Sequence, residues 1–170
     1  LFSIRSIGQE FQAGKMDSLF FLLEKYDNAM GSLSVFQKGK SVYRNAIGYA
    51  DIDRNIKATV TTQYRVGSVS KMFTATLVMQ FIEEGKLSLE TKLSDYYPQL
   101  PKSDQITIQQ LLQHESGFFD ITNTPNFKEW MIEKRTKDEL LTKIQENGMV
   151  FQPGEKAAYS NTNYIILTFI

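Results

Sequence analysis

The stretch "YRVGSVSKMFTATLVMQFIEEG", residues 64–85, decides how this chain is read. It opens on small polar residues and then runs apolar for several helical turns, with a single lysine, Lys71, near its start. From Ser68 to Glu84 the apolar residues Val69, Met72, Phe73, Leu77, Val78, Phe81 and Ile82 leave little polar face, and Gly85 supplies a C-terminal stop. The pattern predicts a central, buried helix. Ser68 and Lys71 stand three apart at its N-terminus, so their side chains share a face, close enough for the lysine amine to take the serine proton. Desolvation by Val69, Met72 and Phe73 would favour the neutral amine that a base requires. The helix N-terminus adds backbone N–H groups and positive potential that can steady a developing oxyanion. The alternative is a lysine that snorkels to solvent from the first turn of a structural helix. A lone SxxK spacing also arises by chance in a chain this rich in serine and lysine, so the spacing needs support from elsewhere.

Composition narrows the chemistry. The chain has 170 residues, of which 42% are apolar and 12% aromatic, enough for one packed core or part of a larger one. Lys plus Arg equals Asp plus Glu at 19 each, so no net field favours nucleic acid or an anionic membrane surface. With no cysteine and one histidine, His114, a disulfide framework, a thiol nucleophile and a Cys/His zinc site have no basis. Catalysis here must rest on Ser, Lys, Tyr or carboxylates. The longest apolar runs, such as "YIILTFI" at 164–170, fall far short of the roughly 20 residues of a membrane span.

Along the chain, Met16, Leu19, Phe20, Leu23 and Tyr26 recur at helical spacing and predict an amphipathic helix over 15–28. "GSLSVFQKGKSVYRNAIGYAD", 31–51, shows two β-rich stretches joined by Lys38-Gly39-Lys40, a hairpin signal. Two strands alone are marginal and should join others, yet no further strand is evident downstream. Thr107 with Gln110, and Thr136 with Glu139, each match a capping box, predicting helices near 107–114 and 136–146. "FQPGEKAAYSNTNY", 151–164, reads as a turn around Pro153-Gly154 leading to a last helix from about Asn163. By residue pattern alone, Tyr159 is a turn aromatic and Asn161 a helix N-cap. The order of helix, two strands and then helices is α+β, with a helical half and a half-finished antiparallel sheet.

Three stretches taken together, "YRVGSVSKMFTA", "LLQHESGF" and "PGEKAAYSNTNY", with "GKLSLETKLSDYYPQLP" between the first two, resemble the serine β-lactamase and penicillin-binding-protein superfamily. The likeness lies with its branch of class C β-lactamases, D-alanyl-D-alanine carboxypeptidases and esterases. It implies a β-lactamase/transpeptidase-like fold and one incomplete domain over 1–170, with a helical part over 68–170. It also implies roles. Ser68 would be the nucleophile and Lys71 its proton acceptor, while Tyr159, first residue of the YxN motif "YSN", would pass the proton to the leaving group and later take one from water. A tyrosine with an ordinary pKa near 10 serves only if a cation lowers it, and Lys71 is such a neighbour. Asn161 would offer its amide to the substrate and help hold Lys71. The "HESG" segment is structural in such proteins, so His114 is expected to be a hydrogen-bonded packing residue, not a general base. Glu115 stands where relatives often carry threonine.

The family's third motif, a Lys or His followed by Thr or Ser and Gly on an edge strand, is not found after Asn161. The chain therefore reads as the N-terminal half of such an enzyme, its C-terminal strands missing, and as a fragment in preference to a natural truncation. The resemblance implies a serine hydrolase forming an acyl-enzyme on a D-Ala-D-Ala peptide, a β-lactam or a small ester, without metal or cofactor. It places the protein in the periplasm, at the membrane surface or outside the cell. The alternative is a non-catalytic homologue that binds a peptidoglycan peptide or a protein partner. The oligomeric state is not legible.

Overall fold

A computed structural model describes residues 11–170, so the first ten residues of the expected domain lie outside it. The chain divides into two units, Leu1–Arg65 and Val66–Ile170.

In the first unit, helix α1 spans Ala13–Lys25. Its inward face carries Phe20, which meets Tyr43 edge-on at 6.2 Å, and Asp17, which accepts a 2.8 Å hydrogen bond from the Tyr43 hydroxyl. Strands β1 (Gly31–Gln37) and β2 (Lys40–Ile47) pair antiparallel. Lys38 and Gly39 turn between them with φ of 50° and 74°, both positive, as a two-residue turn matched to strand twist requires. The β-rich stretch expected to run to residue 51 breaks at Gly48. This residue has φ +70°, and any Cβ there would run into the Met30 side chain. Beyond it the chain turns away: β3 (Tyr49–Asp51) pairs instead with β4 (Ile56–Lys57), a short ribbon that the sequence did not announce.

The second unit is helical. A 3-10 turn, Gly67–Val69, runs into α2 (Ser70–Glu83), followed by α3 (Ile108–Leu112), α4 (Phe127–Trp130), α5 (Lys137–Asn147) and α6 (Asn161–Leu167). Both capping boxes form. Thr107 and Thr136 accept from the backbone N–H of Gln110 and Glu139, and those side chains accept in turn from the cap backbone. The core lies among α3, α5, α6 and the loops between them, where Leu93, Ile106, Ile108, Leu111, Ile121, Ile144 and Ile166 are fully buried. Each contributes about 1.5–3 kcal/mol of transfer free energy on that scale of burial.

Helix α2 departs from expectation. Its one buried residue is Val78, whereas Val69, Met72, Phe73 and Leu77 are 50–67% exposed. The unit's core meets α2 at Val78 and Ile82, and a helix that is apolar nearly all round cannot bury its whole circumference against one neighbour.

Candidate active site

Two helix starts and one loop build the site. Gly67, at φ +53°, lets the chain swing into the 3-10 turn that carries Ser68, and Ser70 Oγ closes that turn by donating to Gly67 O at 2.7 Å. Lys71 follows one turn on, in the first turn of α2. Tyr159 and Asn161 arrive from the other end of the unit. Gly154 N–H donates to Glu115 O at 2.8 Å and Ala158 N–H to His114 O at 2.9 Å, which lays the loop along the "HESG" segment. Helix α6 then begins at Asn161 itself, with Ser160 as N-cap, so the helix starts two residues earlier than expected and Asn161 is not its cap.

These four residues, two of which, Ser68 and Tyr159, bond directly across 91 positions, converge on one set of hydrogen bonds. Ser68 Oγ lies 2.8 Å from Tyr159 Oη and accepts from Lys71 Nζ at 3.2 Å. Lys71 Nζ also donates to Asn161 Oδ1 at 2.7 Å, and the Tyr159 hydroxyl donates to the same oxygen at 3.2 Å. The ammonium lies 5.0 Å from the centre of the Tyr159 ring and 5.7 Å from that of Tyr164. Hydrogen bonding from Lys71, then from Ser68, with the lysine's positive charge in support, holds the Tyr159 hydroxyl below the ordinary phenol value of 10. The apolar wrapping of Lys71 expected from Val69, Met72 and Phe73 is not what the structure shows, because all three side chains stand exposed. Polar partners and aromatic rings surround the lysine instead.

Behind Lys71 and Asn161 lies an open cavity of about 310 Å³ lined with hydroxyls, among them Ser70, Thr74 and Thr122. A roomier cavity of about 710 Å³ belongs to the first unit, between the end of α1 and the β3–β4 ribbon, and holds none of the four residues.

His114 supports this arrangement from below. It sits at φ +60°, its ring lies against Tyr159 at 4.7 Å and Tyr164 at 5.2 Å, and its Nδ1 accepts from Ser160 N–H at 3.2 Å. Asn163 Nδ2 reaches the same ring nitrogen at 3.2 Å while Asn163 Oδ1 accepts from Ser116 Oγ. Burial, and next the positive charge of Lys71, depress the imidazole's pKa below its ordinary 6.5 and keep it neutral. A neutral ring whose Nδ1 is committed to a backbone donor is a hydrogen-bonded packing residue.

Sequence reasoning missed Asp120 and Thr122. Asp120 is 91% buried, and its Oδ2 accepts from Asn161 Nδ2 at 2.9 Å. Its Oδ1 accepts from the Thr122 backbone N–H at 3.0 Å and the Thr122 hydroxyl at 2.8 Å, and Thr122 Oγ1 accepts from Asn161 Nδ2 at 3.1 Å. Asn161 Nδ2 thus has two acceptors within the protein, and the amide faces Lys71 with its oxygen. The only local signal was "DIT" at 120–122, an Asp capping a 3-10 turn.

Comparison with known proteins agrees with the fold and extends it. A teichoic acid D-alanine hydrolase of Staphylococcus aureus is 29% identical over 137 residues, covering 81% of this chain and 33% of that protein. The D-amino acid amidase of Ochrobactrum anthropi, in complex with L-phenylalanine amide, superposes with a TM-score of 0.76 at 26% identity, over 91% of this chain and 43% of its own. An octameric penicillin-binding protein homologue from Pyrococcus abyssi gives a TM-score of 0.71 at 28% identity, over 91% and 37%. The chain spans about a third of the length of the curated relatives it matches. The Beta-lactamase family model matches residues 19–170, a span that contains Ser68, Lys71, His114, Tyr159 and Asn161. The chain therefore belongs to the Beta-lactamase family, as an N-terminal portion of the fold.

Proposed function

We propose that the protein is a serine hydrolase that forms an acyl-enzyme on Ser68 and acts on a D-alanyl ester or D-amino acid amide. One observation carries this reading: Ser68 Oγ is within hydrogen-bonding reach of both Lys71 Nζ and Tyr159 Oη, while Asn161 Oδ1 holds those two groups together. In the first step Ser68 Oγ bonds to the carbonyl carbon and its proton passes to the Lys71–Tyr159 pair. The negative charge on the carbonyl oxygen builds beside the 3-10 turn at Ser68, at the positive N-terminal end of α2. The carbon–heteroatom bond then breaks, and the Tyr159 hydroxyl gives its proton to the departing alkoxide or amine. In the second half the same phenolate takes a proton from water, the hydroxide attacks the Ser68 ester, and the acid leaves as the serine proton is restored.

The substrate class is supported by relatives named for D-alanine and D-amino acid derivatives, and the family likeness supports β-lactams as covalent probes. A relative that acts on teichoic acid, a cell-wall polymer, supports a place at the cell envelope. Among the described residues no helix is long and apolar enough to cross a membrane. Intact-mass measurement of the complete natural protein, before and after incubation with a penicillin or a fluorophosphonate, tests the nucleophile. One adduct mapped to Ser68 and lost in Ser68→Ala is the expected result, and labelling that survives the substitution overturns the assignment.

A further inference from the structure

We propose that Asp120 is a positioning residue that sets the polarity of the Asn161 amide, so that an oxygen and not an NH2 group faces Lys71 and Tyr159. The inference rests on the reading of Ser68 as nucleophile. An asparagine amide has two nearly isosteric orientations, and only its hydrogen-bond partners choose between them. Here every partner votes the same way. Asp120 Oδ2 can only accept, and it meets Asn161 Nδ2 at 2.9 Å. The Thr122 hydroxyl gives its hydrogen to Asp120 Oδ1 at 2.8 Å, which leaves it a lone pair for the second Asn161 hydrogen at 3.1 Å. A flipped amide would press its carbonyl oxygen against a buried carboxylate and turn two N–H groups toward an ammonium.

The carboxylate is itself fixed. Its Oδ1 accepts from the Thr122 backbone N–H at 3.0 Å, a group that can never accept, within a 3-10 turn that Asp120 caps. Asp120 is 91% buried, and among the described residues neither of its oxygens meets a cation in an ion pair. A buried carboxylate without an ion-pair partner carries a desolvation cost that its hydrogen bonds must offset. Its direction is used here: it is relayed through Asn161 to the oxygen that Lys71 and Tyr159 share.

The test is a swap in the complete natural protein, read as the second-order rate constant for labelling of Ser68 by a fluorophosphonate, whose phosphorus bonds to Ser68 Oγ as fluoride leaves. In Asp120→Asn the new carbonyl must stay on the Thr122 N–H, so its NH2 turns to Asn161 and forces that amide to flip. Lys71 then loses its acceptor, and the labelling rate is expected to fall about 10- to 100-fold. In the double variant Asp120→Asn/Asn161→Asp, the NH2 of residue 120 donates to the carboxylate at 161, whose second oxygen again faces Lys71. The rotatable Thr122 hydroxyl can follow. The double variant is expected to recover at least about tenfold over Asp120→Asn, with a cooperative melt, and it carries the test alone should Asp120→Asn fail to fold. A purely structural carboxylate would instead give losses that multiply, and that outcome, or Asp120→Asn taking the label within about twofold of the wild-type rate, overturns the proposal. A wild-type protein that takes no label at Ser68 removes the nucleophile reading and this inference together, whereas a labelled wild type with multiplying losses removes this inference alone.

Discussion

Replacing Tyr159 by phenylalanine separates chemistry from folding at this site. The substitution deletes one atom, Oη, which lies 2.8 Å from Ser68 Oγ and 3.2 Å from Asn161 Oδ1. It keeps the ring that lies 4.7 Å from His114 and covers one side of Lys71. Tyr159 is 57% exposed, so the lost hydroxyl is free to be replaced by water, and the stability cost is at most about 1 kcal/mol. Its kinetic cost is far larger if Tyr159 transfers protons in both half-reactions: about 10²- to 10⁴-fold per step, or about 2.7–5.4 kcal/mol at 1.36 kcal/mol per decade. The wild-type acylation rate should rise with pH through the Tyr159 pKa, which Lys71 and Ser68 hold below 10, because the phenolate is the form that accepts a proton. In Tyr159→Phe that rising limb should disappear. Stopped-flow acylation with a chromogenic D-alanyl ester across pH 5–10, beside a thermal melt, measures both. A loss of under about tenfold with the limb intact would refute the role of Tyr159 as proton carrier.

Two further outcomes follow from the supporting residues. The fold holds His114 below its unfolded pKa of 6.5, so its contribution to stability is complete above 6.5 and is lost as pH falls from there through the lower folded value, where the unfolded chain takes up a proton that the folded one refuses. The melting temperature should decline over that window, and His114→Gln should flatten the slope; an unchanged slope would mean that the buried imidazole titrates freely. Gly117 sits at φ +85°, where a Cβ would collide with the Phe151 carbonyl, so Gly117→Ala should destabilise by about 2–4 kcal/mol in chemical denaturation, and a loss under about 0.5 kcal/mol would show that this turn can relax.

What the sequence disclosed about this fold was what neighbouring residues decide among themselves. Thr107 with Gln110, and Thr136 with Glu139, settle their helix starts by reciprocal bonds across three residues, and both boxes are in place. The burial of α2 was not legible in the same way. Its apolar content is visible residue by residue, but which side meets a core depends on partners far along the chain, and within its own unit Val78 is buried there with Ile82 packed beside it. The break at Gly48 was hidden for a similar reason, since the obstacle is Met30, across a hairpin.

The site itself shows why its polar residues resemble ordinary helix caps. Ser68 and Asn161 both stand at helix starts, where serine and asparagine are the usual N-caps. Yet the N-caps of α2 and α6 are Val69 and Ser160, and neither makes a side-chain cap hydrogen bond, in contrast to α3 and α5. The polar groups that could have capped each helix face the other helix start instead: Ser68 meets Tyr159, and Lys71 meets Asn161. Leaving two helix starts without side-chain caps gives up about 1 kcal/mol each. Two helix starts that share one hydrogen-bond network and stand uncapped, where α3 and α5 of the same unit carry full capping boxes, have their polar side chains committed to each other and to whatever reacts between them.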